Sequence, residues 1–173
     1  MKVLMIFDQV QGGLGGKENP QLPLGGKKGP IGAVPMLEPH LKKVEGEVVA
    51  CLYCGDGYFA DNTDEVTEKM AAMVKKMGAD VVICGPAYNY KGYAAMCAHL
   101  AEYIEAKTQI PTVAAMSQEN EEIIRLYKDN IHIVKMPKKG GIGLNDALEN
   151  ICQVAAARYK GQDSQALKEK YCY

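Results

Sequence analysis

Cys51-Leu52-Tyr53-Cys54 places two thiols in a C-x-x-C arrangement. The redox version of that spacing sits at a helix N-terminus, where the helix dipole lowers the thiol pKa. Here it ends the apolar, β-prone run 48–54, and on a strand this spacing sends the two side chains to opposite faces. Cys51 then belongs to the core. Cys54, at the end of the strand beside Gly55-Asp56, is the candidate reactive thiol, as redox partner or nucleophile. Zinc is not expected, because no second cysteine pair and no histidine at ligand spacing accompanies them. His40, His99 and His132 are far apart in sequence and read as structural or exposed, and there is no G-x-S-x-G nucleophile elbow.

The run Gly12-Gly13-Leu14-Gly15-Gly16-Lys17 invites a phosphate-binding reading and fails it. A Walker A loop has four residues between its first Gly and the Gly-Lys pair and then a hydroxyl for magnesium. Gly12 leaves three residues before Gly16, and Glu18 replaces the hydroxyl. The G-x-G-x-x-G dinucleotide spacing is absent as well. Gly13, Gly15 and Gly16 are therefore assigned to a lid or a partner-docking loop.

Three further segments are rich in groups that can bind or move protons. Cys54-Gly55-Asp56-Gly57-Tyr58-Phe59 reads either as a pocket edge or as a strand-to-helix loop capped by Asp56 or Asn62, with Phe59 packed below. Gly85-Pro86-Ala87-Tyr88-Asn89 is shaped by its Gly and Pro, with Asn89 and Tyr93 placed to meet a ligand. Glu119-Asn120 follows a strand and either caps the next helix or lines the same site.

Alternating β-rich runs and amphipathic segments would position these groups. Strands are expected at 3–7, 48–54, 81–84, 111–116 and 131–136. Helices are expected at 32–44 (shortened by Pro35 and Pro39), from Thr63 or Asp64 to Gly78, and at 93–107, 120–128 and 144–159. Residues 11–30 read as a long Gly- and Pro-rich connection. Five strands alternating with helices predict a parallel sheet covered on both faces, a doubly wound Rossmann- or flavodoxin-like sandwich with strand order 2-1-3-4-5. Ligands in such sheets sit outside the carboxyl ends of the strands. That rule selects the loop after Phe7 and the segments 54–62, 85–93 and 116–120. One domain over 1–161 and a polar tail or short helix over 162–173 account for the chain.

The 173 residues carry a net charge of -1, with 47% apolar and 24% charged residues. These values are ordinary for a globular domain and draw it to neither nucleic acid nor an anionic membrane. No apolar run approaches the ~20 residues of a membrane span. The opening MKVLMIFDQV reads as a strand and not as a signal peptide. A cytoplasmic location is expected, with the six cysteines mostly reduced.

The same segments carry a resemblance. Val49-Ala50-Cys51-Leu52-Tyr53-Cys54-Gly55-Asp56-Gly57-Tyr58-Phe59 resembles the V-A-T-V-V-C-G-D-x-Y-F run of the glycine/sarcosine/betaine/D-proline reductase family, in the N-terminal half of its selenoprotein B component. Asn62 matches a later x-E-N. Ile83-Cys84-Gly85-Pro86-Ala87-Tyr88-Asn89 is similar to I-A-G-P-A-F-N, and Tyr93 and Cys97 fall where that family has Y and C. Ile110-Pro111-Thr112-Val113 and Met116-x-x-Glu119-Asn120 resemble I-P-V-V-T-G-M-Y-x-E-N. Gln9, Gly13, Gly15-Gly16 and Gly29-Pro30-Ile31-Gly32 fit its opening, so the resemblance covers about residues 1–160.

The resemblance implies a component B-like subunit of an oxidoreductase complex of anaerobic amino-acid metabolism, for reductive cleavage of a C–N bond in an amino acid or amine. It implies no cofactor in this chain. A pyruvoyl group and a selenocysteine are expected on partner subunits, and a homo-oligomer is compatible. Cys54, Asp56 and Glu119 are the implied catalytic residues. Tyr58, Asn62, Asn89, Lys91, Tyr93, Cys97 and Asn120 are the implied substrate-binding residues. The sequence departs from the pattern in lacking the selenocysteine-x-x-Cys motif of the family's second domain. Lys91-Gly92-Tyr93 stands for G-R-Y, so an Arg able to clamp a carboxylate at two points is replaced by a lysine of poorer geometry. Tyr90 replaces a small residue. A non-catalytic binding or assembly module is the rival expectation, and a flavodoxin-like electron carrier a third.

Overall fold

The computed structural model describes residues 1–173. Its strands are β1 (Lys2–Phe7), β2 (Gly25–Lys28), β3 (Glu47–Tyr53), β4 (Val81–Ala87), β5 (Thr112–Ser117) and β6 (His132–Met136). They form one sheet in the order β2-β3-β1-β4-β5-β6. All neighbours are parallel except β2, which runs antiparallel to β3. With β2 set aside, the expected 2-1-3-4-5 order is the observed one.

The strand side chains alternate between two apolar layers, as the period of two requires. Leu4, Ile6, Leu52, Val82, Cys84, Ala114 and Met116 face one layer. Val3, Met5, Phe7, Cys51, Val81, Ile83, Val113 and Ala115 face the other. Covering the first layer are α2 (Asp56–Asp61), α3 (Thr63–Met77), α4 (Lys91–Thr108) and α5 (Glu121–Tyr127), and α1 (Val34–Lys43) and α6 (Leu144–Tyr159) cover the second. This double burial is why the central strands read as unbroken apolar runs. In α3 the buried stripe is Val66, Thr67, Met70, Ala71 and Val74, and Gly78 ends the helix with φ of 65°.

The structure corrects three expectations. Residues 11–30 are not wholly a connection, because Gly25–Lys28 is a strand. Gly-Gly-Lys-Lys has neither β propensity nor apolar alternation; it is held by the otherwise open edge of β3. The third strand does not stop at Cys84 but continues through Gly85-Pro86 to Ala87, with the β4–β5 register slipping between Cys84 and Ala87. Residues 54–62 are not a loop, since α2 occupies most of them. The final helix α7 (Gln165–Tyr171) packs on this same sheet: Cys172 bridges Val134 and the Tyr173 N–H donates to the Ile133 carbonyl at 3.1 Å.

At the amino end of the sheet, Arg158 of α6 donates two parallel bonds to the Glu105 carboxylate of α4, each 2.7 Å, and a third to the Thr112 carbonyl at 2.7 Å. Burial alone would raise the Glu105 pKa, but the Arg158 bonds and the Thr112 N–H outweigh it and hold it below the ordinary value. The histidines make structural contacts. His132 faces Asp163 at 3.1 Å, His99 meets the edge of Phe59, and His40 lies buried beside Glu149. No helix is long and apolar enough to cross a membrane.

Candidate functional site

The carboxyl ends of β1, β3 and β4 open on one cleft. Leaving β1, the chain turns at Asp8, whose Oδ1 accepts the Gln11 N–H at 2.6 Å. Gln9 follows and reaches across to α2: its Nε2 donates to Asp56 Oδ1 at 3.1 Å, and the Asp56 N–H donates back to Gln9 Oε1 at 3.3 Å. The loop after β1 then passes over the start of α2. The Gly55 N–H donates to the Leu22 carbonyl and the Tyr58 N–H to the Pro20 carbonyl, both at 2.8 Å. A β-carbon on Gly55 would stand 2.0 Å from the Pro20 oxygen, so only glycine admits this approach. Gly92, in the first turn of α4, has a similar role, because a β-carbon there would stand 2.3 Å from Asp56 Oδ2.

The resulting cavity has a volume of about 260 Å³, and Asp8, Gln9, Lys17, Asp56 and Tyr90 supply its polar lining. Lys17 Nζ lies 4.5 Å from the centre of the Tyr90 ring, within cation–π range. Asp8 is 1% exposed. Burial pushes its carboxyl up to about 6 against the Gln11 N–H, and the neighbouring Asp56 charge adds to the rise. Two carboxylates and a lysine thus share one small cleft, an arrangement that can hold an ion bearing both charges.

Of the expected site residues, Asp56 lines this cleft, whereas Tyr58, in α2, and Asn62, at its C-terminal cap, do not. The Asn62 side chain donates to the Tyr58 carbonyl at 3.0 Å. Asn89 is exposed in the turn before α4. Asn120 is buried, and its amide donates to the carbonyls of Tyr88 and Ser117, so it clips the ends of β4 and β5 together. Gly13, Gly15 and Gly16 belong to a loop folded on itself: the Gly16 N–H donates to Glu18 at 3.0 Å and the Asn19 side chain to the Leu14 carbonyl at 3.3 Å.

Other expected residues lie elsewhere. Tyr93 and Cys97 have no exposed surface and belong to the core; the Tyr93 hydroxyl donates to the Ile6 carbonyl at 2.9 Å. Burial raises both of their pKa values well above the ordinary range. Lys91 pairs with Glu122 on the outside of α4 and α5. Glu119 accepts from Ser117 and the Lys139 N–H and lines a separate groove of about 430 Å³ with Lys138 and Tyr173.

Cys54 is not in a polar loop. It is fully buried, with its sulfur 3.2 Å from the Gly55 carbonyl oxygen and 3.9 Å from the Met96 sulfur. Burial first, and the Asp56 charge second, push its thiol up to about 12. Asp8, Gln9, Lys17 and Tyr90 were missed as site residues. The rule that ligands sit beyond strand ends pointed at the loop after Phe7, but nothing in the sequence brings Lys17 to Tyr90.

The curated proteins that the chain resembles include components of reductase complexes. Over 162 residues it is 30% identical to glycine reductase complex component B subunit gamma of Carboxydothermus hydrogenoformans, covering 94% of this chain and 37% of that protein. It is 28% identical over 162 residues to sarcosine reductase complex component B subunit beta of Peptoclostridium acidaminophilum, covering 94% and 36%. It is 23% identical over 133 residues to betaine reductase complex component B subunit beta of the same organism, covering 77% and 30%. The chain therefore spans between 30% and 37% of the length of these relatives. The family model of glycine/sarcosine/betaine reductase selenoprotein B matches residues 1–173, and the chain belongs to that family.

Proposed function

We propose that this chain is a component B-like subunit of a glycine/betaine/sarcosine/D-proline-type reductase, whose cleft presents an amino acid or amine for reductive cleavage of its C–N bond. The observation that carries the reading is the acidic, lysine-bearing cleft at the carboxyl edge of the sheet, in a chain that matches the family along its whole length. In this chain, Asp56 is fixed by Gln9 and by the close approach of Gly92, so it is preorganised to receive an ammonium group. Asp8 and Lys17 line the same cleft and add a second acidic group and a cation.

The selenol or thiol and the pyruvoyl group belong, in this reading, to partner chains. Together they supply a nucleophile for carbon and an electron sink for the amine. The residues here fit that division. The cleft lies at the surface, where partner groups have access, and holds polar side chains that orient a substrate. All six cysteines of this chain are buried thiols, as suits a reducing compartment such as the cytoplasm.

The buried cysteines also favour a second reading, a non-catalytic binding or assembly module of the same family, because Cys54 as placed is a protonated core thiol. Affinity purification from the native host, with mass spectrometry of what co-elutes, separates the two. Recovery of a pyruvoyl- or selenocysteine-bearing chain, followed by amine-dependent turnover in the reconstituted mixture, is the expected result. Recovery of the chain alone, or only with itself, would overturn the subunit reading.

A further inference from the structure

We propose that the cleft formed by Asp8, Gln9, Lys17, Asp56 and Tyr90 binds a small zwitterionic amino acid whose ammonium retains at least one N–H, and that it rejects the fully N-methylated form. This rests on reading the cleft as a substrate pocket and adds which ammonium it accepts and which side chain takes the carboxylate.

The floor of the cleft is built to receive hydrogen bonds. Asp8 is almost wholly buried and lines the cavity, with its Oδ1 accepting the Gln11 N–H at 2.6 Å. A buried carboxylate is stable only when paired. Asp56 stands beside it with one oxygen held by Gln9. A donor with two or three N–H bonds satisfies both carboxylates at once. A trimethylammonium offers charge but no donor, and leaves those acceptors desolvated and unmatched.

The usual means of holding a quaternary ammonium is a set of open aromatic faces. Tyr90 supplies the cleft's aromatic ring, and Lys17 already lies over its face at 4.5 Å. That same contact holds the Lys17 ammonium at the side of the cavity, where it can meet a ligand carboxylate. Lys91 is paired with Glu122 and does not line the cavity. A lysine and two carboxylates lining one cavity match the two charges of a zwitterion, and a volume of about 260 Å³ admits a small one.

The test is calorimetric titration of the full chain at pH 7.5 with glycine, sarcosine, trimethylglycine and acetate. Glycine and sarcosine are expected to bind at least about tenfold more tightly than trimethylglycine or acetate. Lys17→Gln and Asp56→Asn are each expected to weaken glycine binding by about tenfold or more, and Glu65→Gln, on the exposed face of α3, to leave it unchanged. Lys17 is an exposed loop residue, so its replacement keeps the fold, which circular dichroism checks. The proposal is overturned if trimethylglycine binds as tightly as glycine, if glycine binding survives both cleft replacements, or if glycine does not bind. None of these results touches the co-purification test, so the subunit reading stands or falls separately.

Discussion

Gln9 and Asp56 exchange hydrogen bonds in both directions, side chain to side chain at 3.1 Å and backbone to side chain at 3.3 Å. The pair joins the exit of β1 to the first turn of α2, two segments 47 residues apart in the chain. It fixes one oxygen of Asp56, while the other occupies the space that a β-carbon on residue 92 would need. Gly92→Ala is therefore expected to displace the Asp56 carboxylate and weaken glycine binding about fivefold or more. The neighbour that must move is the flexible end of a side chain, so stability should change by less than about 1 kcal/mol. Calorimetric binding and thermal unfolding of the variant check the two halves separately.

Gly55→Ala should behave differently, because the obstacle is backbone. Its β-carbon would fall 2.0 Å from the Pro20 oxygen, and the loop after β1 would have to lift from α2. A loss of about 1–3 kcal/mol is expected by urea unfolding, with faster amide exchange at Gly55 and Tyr58, whose N–H groups the loop now pairs.

Asp8 gives the fold a pH dependence opposite to that of most carboxylates. Its pKa rises from 3.8 to about 6 on folding, so between these values the folded chain keeps a proton that the unfolded chain has released. Asp8's contribution to stability is therefore greatest in acid and is lost as the pH rises through this window, by on the order of 2–3 kcal/mol. The charged and titratable groups that face it are Asp56 from α2, Tyr93 and Cys97 from α4, and Lys17 across the cleft. Asp8→Asn keeps an acceptor for the Gln11 N–H. It should raise stability at pH 8 by about 1 kcal/mol or more over its effect at pH 4.5, as measured by urea unfolding at both values.

The thiols should be silent in the native state. Each of the six cysteines is buried, and burial raises the thiol pKa at Cys51, Cys54, Cys84, Cys97, Cys152 and Cys172. A colorimetric thiol reagent at pH 8 is expected to label almost none of them until denaturant is added, and then all six. Rapid native labelling lost in Cys54→Ser would show instead that Cys54 reaches solvent and can act as the reactive thiol.

Arg158→Ala tests whether the two ends of the sheet are independent. The change removes both bonds to Glu105, the bond to the Thr112 carbonyl and the contact with Asp163, and leaves Glu105 with the Thr112 N–H alone. A cost of about 2–4 kcal/mol is expected by urea unfolding. Glycine affinity should be unchanged, because the clamp lies at the amino ends of β5 and β6 and the cleft at the carboxyl ends of β1, β3 and β4.

The amino-acid sequence alone encodes the layered α/β fold and the edge at which a ligand would sit, and the expected order of the five main strands is the observed one. Each rests on local periodicity: strands such as Val3–Phe7 and Val81–Ile83 are apolar at every position because both faces are covered, and right-handed crossovers restrict how such strands can be ordered. The opposite faces of Cys51 and Cys54 followed from the same period of two. Tertiary structure decided what periodicity does not encode. Gly25–Lys28 became a strand because β3 offered an open edge. Cys54, polar by residue type and beside the expected site, went into the core beneath Met96 of α4, and Tyr93 and Cys97 went there because they lie on the face of α4 that packs on the sheet. Lys17 and Asp8 entered the cleft because the long loop after β1 folds back over α2, a contact made by backbone atoms of Pro20 and Leu22 and by the missing side chain of Gly55. Contacts between segments that distant leave no periodic trace in the chain, so which residues line the site became visible only once the loop was folded.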